Sequence, residues 1–126
     1  MNSFKNPVVW FDIYTQDLQR AKSFYEKVFL FNLIEEPTDG SFQAYRFPGG
    51  MPGFGSMGAL MYHPMRKPSS EGTIVYFECE DCEQQSNLAL LHGGQVFKSK
   101  WSIGDEGFVA IIGDTEGNAI GLHSFK

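Results

Sequence analysis

An order of elements that occurs twice constrains this chain more than any single motif does. Val8 to Tyr14 is rich in β-branched and aromatic residues and reads as a strand. Asp17 then offers a carboxylate to open a helix. Leu18, Ala21, Phe24, Tyr25 and Val28 follow at the spacing of one helical face. Phe31–Glu36, Ser41–Phe47 and Ser56–Tyr62 read as three further strands, separated by a turn at 37–40 and a Gly/Pro-rich loop at 48–55. Residues 63–72 carry two prolines, two serines and a glycine and read as a linker. The order then starts again, with a strand at Thr73–Cys79 and a helix opening at Asp81 and stopping at Gly93-Gly94. Strands at Gln95–Lys98, Gly107–Ile112 and Asn118–Phe125 complete it, so the reading is β-α-β-β-β, twice.

Asp17 and Asp81 stand 64 residues apart, and the same offset lays Phe24 on Leu88 and Gly53 on Gly117. Identities are few, so the pattern repeats rather than the sequence. A half of about 60 residues buries too little surface to be secure alone. Two halves sharing a sheet would solve that problem. The chain is therefore read as one domain, 1–126: module one at about 6–63, a linker at 64–71 and module two at 72–126.

Strand parity assigns faces. Val9, Phe11 and Ile13 share one side of the first strand, and Trp10, Asp12 and Tyr14 share the other. In the fifth strand Val75, Phe77 and Cys79 oppose Ile74, Tyr76 and Glu78. In the last, Ile120 and Leu122 oppose Ala119, Gly121 and His123. One face each time is apolar and suits a helix. The other mixes aromatic residues with Asp12, Glu78 and His123, and a concave surface of that kind suits a small molecule. Twelve Phe, five Tyr and two Trp among 126 residues are enough to build both a core and such a pocket.

Charge removes other functions. The net charge is -5, and the longest basic group is Arg66-Lys67, so a nucleic-acid partner is not expected. No stretch approaches the roughly 18 apolar residues of a membrane span. Met1–Lys5 shows no apolar signal-peptide core, so the expected location is cytoplasmic. Cys79 and Cys82 form a lone C-x-x-C. A redox pair needs a depressed thiol pKa and a zinc site needs four ligands, so the plainer reading is two small apolar residues at a strand end and a helix start. His92, at the end of the second helix, reads as a cation near a helix C-terminus. Asp114–Asn118 lacks the acidic spacing of a calcium loop and reads as a turn between the last two strands. The glycines at 49–58 lack a phosphate-loop G-K-[ST], and no nucleophile elbow is present. Trp101 and Phe108 flank Ile103–Gly107, which is either a loop closing over the site or a hairpin turn.

Val9–Ile13, Asp17–Ala21 and Phe24-Tyr25, followed by Val75–Phe77, Asp81, Gly93-Gly94, Asp114–Asn118 and Ile120–His123, resemble in their order the vicinal oxygen chelate superfamily. That group includes glyoxalase I, extradiol dioxygenases and bleomycin-resistance proteins, and the likeness is strongest to its lactoylglutathione-lyase-related branch. The resemblance implies an α+β fold: two βαβββ modules forming curled mixed sheets around a cleft. It also implies a homodimer. Metal-dependent members hold a divalent ion with His, Glu or Gln on the first and last strands of each module. Carried over, those positions fall on Trp10 and Ile74, on Gly121, and on Met57 or Gly58. Trp, Ile and Gly are not donors for such an ion.

The resulting expectation is a metal-independent binding protein that needs no cofactor. Its ligand, a small molecule, would sit in the cleft against Trp10, Tyr14, Ile74, Tyr76, Glu78 and Gly121. A divalent ion held by shifted ligands would draw on Asp12, Glu78, His123 and His63. The rival is a lyase or isomerase resembling glyoxalase I, with Asp12 or His123 as catalytic proton-transfer groups. A third reading is an interaction module whose cleft is filled by aromatic side chains.

Overall fold

The helices form where period and caps agree. Asp17 accepts from the backbone N–H of Arg20 and opens α1, Leu18–Phe29, whose whole predicted stripe is buried. Asp81 accepts from the N–H of Glu83 and opens α2, Cys82–Leu91. The stops differ. Gly93 turns at φ 98° just beyond α2, whereas α1 ends on Leu30 at φ 62°. Leucine in that left-handed region costs roughly 1 kcal/mol, which the bond from its N–H to the Glu26 carbonyl helps to offset.

A computed structural model of the chain describes residues 6–50 and 55–126. Met1–Lys5, and Gly53 with its match to Gly117, lie outside the described residues. The strands are β1 (Trp10–Tyr14), β2 (Ile34–Glu36), β3 (Gln43–Arg46), β4 (Met57–Tyr62), β5 (Val75–Glu78), β6 (Gln95–Ser102), β7 (Phe108–Gly113) and β8 (Ala119–Ser124). Most are shorter than the sequence suggests, because their flanks leave the ladder before the apolar pattern ends. Ile74, predicted inside the fifth strand, precedes it. β6 is the exception and continues past Lys98 to Ser102. Two register shifts, between Val96 and Lys98 and between Lys98 and Trp101, break the alternation that would have revealed it.

The halves do not share a sheet. They form two four-stranded mixed sheets, ordered β1-β4-β3-β2 and β5-β8-β7-β6, and share a core instead. Ile13, Phe24, Tyr25 and Leu60 of the first half pack in one cluster with Cys82, Ile112, Ile120 and Leu122 of the second. Phe77 of β5 stacks on Phe29 and meets Phe47 and Phe11 of the first half edge-on. Each sheet thus turns its apolar face toward the common core, and its mixed face points the other way.

A turn completes the joint. Asp114 accepts from the hydroxyl of Tyr25 at 2.6 Å. Glu116 accepts from the backbone N–H groups of Gln16 and Asp17 and from Arg20. Asn118 donates to the Tyr14 carbonyl.

Candidate functional site

The mixed faces carry the residues that parity assigned to them. On the first sheet, Trp10, Asp12 and Tyr14 pair with Met57, Ala59 and Met61. The Trp10 indole N–H donates to Asp12 at 2.9 Å. Arg46 lies in the same row through its pairing with Ala59, and meets Glu36 at 3.2 Å. On the second sheet, Tyr76 and Glu78 pair with Gly121 and His123. A Cβ at 121 would run into the Tyr76 ring, so glycine there is what lets the ring lie flat on the sheet. Lys98 and Trp101 reach this face through Ile111 and Val109, and the Lys98 ammonium sits 3.9 Å from the centre of the Trp101 ring. Lys98 and Arg46 lie on these mixed faces although the sequence reading does not place them there. Alternation along the third strand would have found Arg46; the bulges hid Lys98.

The two groups stay apart. Among the described residues, no hydrogen bond or ion pair joins Trp10, Asp12 or Tyr14 to Tyr76, Glu78 or His123. Both ring nitrogens of His123 are engaged: Nδ1 lies 2.8 Å from Glu78 Oε1, and Nε2 lies 2.6 Å from the Glu106 carbonyl oxygen. The Glu106 carbonyl, then the Glu78 carboxylate, raise its pKa above the ordinary 6.5. The Ile103–Gly107 segment is a short helical turn, Gly104–Glu106, held by this histidine and by the bond from Ile103 N–H to the Gly107 carbonyl.

Strand register shows where the residues lie that the resemblance gives to metal ligands. Trp10 pairs with Met57, and Tyr76 with Gly121. Gly58 instead sits under the Phe11 ring, and Ile74 is off the strand. Trp10, Ile74, Gly121 and Met57 or Gly58, the positions that the resemblance gives, do not fit a divalent ion that prefers imidazole and carboxylate. Among the described residues, no three His, Cys, Asp or Glu side chains gather into an alternative. His63, one of the shifted candidates, accepts from the Met65 N–H within its own turn.

The cysteines are placed as packing residues: Cys82 opens α2 fully buried and Cys79 follows β5. Burial, and then the neighbouring Cys82, push the Cys79 thiol up to about 12, the opposite of a redox-active thiol.

A large concave volume lies in the seam between the sheets. This cavity of about 580 Å³ is walled by Phe11, Phe31, Phe47 and Phe77 and by Thr73–Glu78. Its size falls in the range typical of small-molecule pockets. It gathers three of the predicted binding residues, Ile74, Tyr76 and Glu78, and leaves Trp10, Asp12, Tyr14, Gly121 and His123 outside. Phe11 and Phe77, read from sequence as helix-facing filler, form part of its wall.

The family described as "Bleomycin resistance protein-like N-terminal" matches residues 8–43. CFP32 of Mycobacterium bovis, which carries a glyoxylase name, is 28% identical over 117 residues, 90% of this chain and 43% of that protein. The chain thus spans under half the length of the curated relatives it matches. Glyoxalase I from Zea mays superposes with a TM-score of 0.71 at 18% identity, over 91% of this chain and 44% of that one. A glyoxalase/bleomycin resistance protein/dioxygenase family enzyme from Burkholderia phytofirmans PsJN superposes with a TM-score of 0.66 at 15% identity, over 93% and 97%.

Proposed function

From the premise that this chain has the fold of the vicinal oxygen chelate superfamily, we propose that it binds a small apolar or aromatic molecule without a metal. The relatives' names offer two kinds of role, catalysis and resistance. The residues here favour holding a molecule over transforming one. A single observation carries this reading: the phenylalanine-walled cavity of about 580 Å³ between the sheets. Burying an aromatic ligand there releases water from four Phe side chains at roughly 25 cal/mol per Å² of apolar surface. The lyase reading finds less support. Asp12 is exposed, tied to Trp10 and on a different sheet from His123, whose ring nitrogens are both engaged.

Pairing of two copies belongs to the same reading. The mixed faces leave Trp10 41% and Tyr76 50% exposed, which is costly for a lone chain and suits coverage by a second copy.

Fluorescence titration of metal-stripped protein with 1-N-phenylnaphthylamine tests the function. One saturable site per chain is expected, unchanged by a chelator and weakened at least tenfold by Ile74→Trp, which fills the cavity. Binding that needs an added divalent ion, or ignores Ile74→Trp, would overturn it. Sedimentation of the same sample checks the pairing, and a monomer throughout would contradict it.

A further inference from the structure

Six consecutive residues, Thr73 to Glu78, line the seam cavity. Side chains of a strand alternate between its two faces, so an unbroken run can line one cavity only if the backbone edge is the wall. The topology supports this. β5 is the edge of its sheet and pairs with β8 alone.

The hydrogen-bond phase shows which groups face the cavity. The N–H of Cys79 donates to the His123 carbonyl, so residue 79 points its backbone toward β8. In a parallel pair the bonding residues alternate, so Phe77 and Val75 point the same way. The N–H and C=O groups of Tyr76 and Glu78 therefore point away from β8, as do those of Ile74 just before the strand, into the seam. Among the described residues, none takes up these groups. β1 is likewise an edge strand: Thr15 N–H donates to the Met61 carbonyl, so Asp12 and Trp10 turn their backbone groups into the seam from the other side.

The cavity thus joins apolar walls to a strip of backbone donors and acceptors. We infer that its ligand carries a secondary amide beside its apolar or aromatic group. The amide N–H donates to, and its carbonyl accepts from, the outward-facing backbone groups of β5, as an added strand would, while the apolar part enters the Phe11–Phe47–Phe77 pocket. A purely apolar ligand would leave the strip without partners as it displaced water from it, and each such group costs free energy. An ester of the same shape keeps the acceptor but loses the donor. The inference rests on the cavity being the ligand site and adds the class of molecule it takes.

The test compares N-benzylacetamide with its ester counterpart, benzyl acetate, by NMR titration of ¹⁵N-labelled protein, with 1-N-phenylnaphthylamine, which has no carbonyl acceptor, as the mainly apolar reference. The amide is expected to bind about tenfold more tightly than the ester and to shift the Tyr76 or Glu78 amide proton downfield. Ile74→Trp should weaken both. Equal affinities for amide and ester, with the apolar reference still bound, would overturn the inference and leave the binding function standing. Failure of all three probes would overturn both.

Discussion

Glu116 shows how much one residue can do that no local pattern reveals. The sequence reads Asp114–Asn118 as a plain turn, and a turn it is. Its partners, however, are Gln16, Asp17, Arg20, Tyr14 and Tyr25, about 90 to 100 positions away, and no spacing rule connects them. Burial pulls the Glu116 carboxyl upward in pKa. Bonds from Arg20, from the Asp17 and Gln16 backbone and from Thr115 outweigh it and hold the group below its ordinary 4.5. A depressed carboxylate stabilises the fold above the ordinary value, and the contribution is lost as pH falls through the lowered one. Glu116→Ala should cost about 2 kcal/mol at neutral pH, because it strips five donor groups of one acceptor. In urea unfolding, the variant and the parent should converge in stability as pH falls below 4.5. A gap that stays constant with pH would show that the joint is held by packing alone.

Among elements, the legible ones were those whose period and caps agree. α1 is legible residue by residue, because Asp17 and the stripe from Leu18 to Val28 point to the same helix. β6 is not, because bulges reset its alternation and hide Lys98's place on the mixed face. The sequence allows the turn after β6 to be a loop or a hairpin, and the reason it is pinned lies on another strand. Neutral histidine has one donor, while His123 faces two acceptors, Glu78 Oε1 and the Glu106 carbonyl, so only the imidazolium satisfies both. Glu78 and Glu106 are the charged residues that face this ring, with Phe125 edge-on beside it. The raised pKa fixes the sign: the contact is complete below 6.5 and is lost as pH rises through the raised value. Amide exchange at Gly104–Gly107, corrected for intrinsic rates, should quicken over that rise in the parent and be pH-independent in His123→Gln. The same pH response in both would place the cause elsewhere.

For the molecule as a whole, the repeated order of elements was enough for the fold class and for which face of each strand is apolar. It was not enough for how the halves meet. Parity assigns Trp10 and Tyr76 to mixed faces correctly, yet says nothing about whether those faces see each other. They belong to separate sheets, because the halves join through Phe77, Tyr25 and the shared core. The apolar cavity falls at the seam of that joint, where an edge strand and four phenylalanines converge. Its position depends on tertiary contacts, which is why Phe31 and Phe47 were absent from the sequence-derived site. The central claim is that ligand binds in this seam without a metal. Its most direct measurement is a ¹H–¹⁵N correlation spectrum of metal-stripped protein titrated with 1-N-phenylnaphthylamine. The account predicts saturable shifts concentrated at Thr73–Glu78, Phe11 and Phe47. Shifts confined to the outer residues Trp10, Lys98 and Trp101, or seen only after a divalent ion is added, would contradict it.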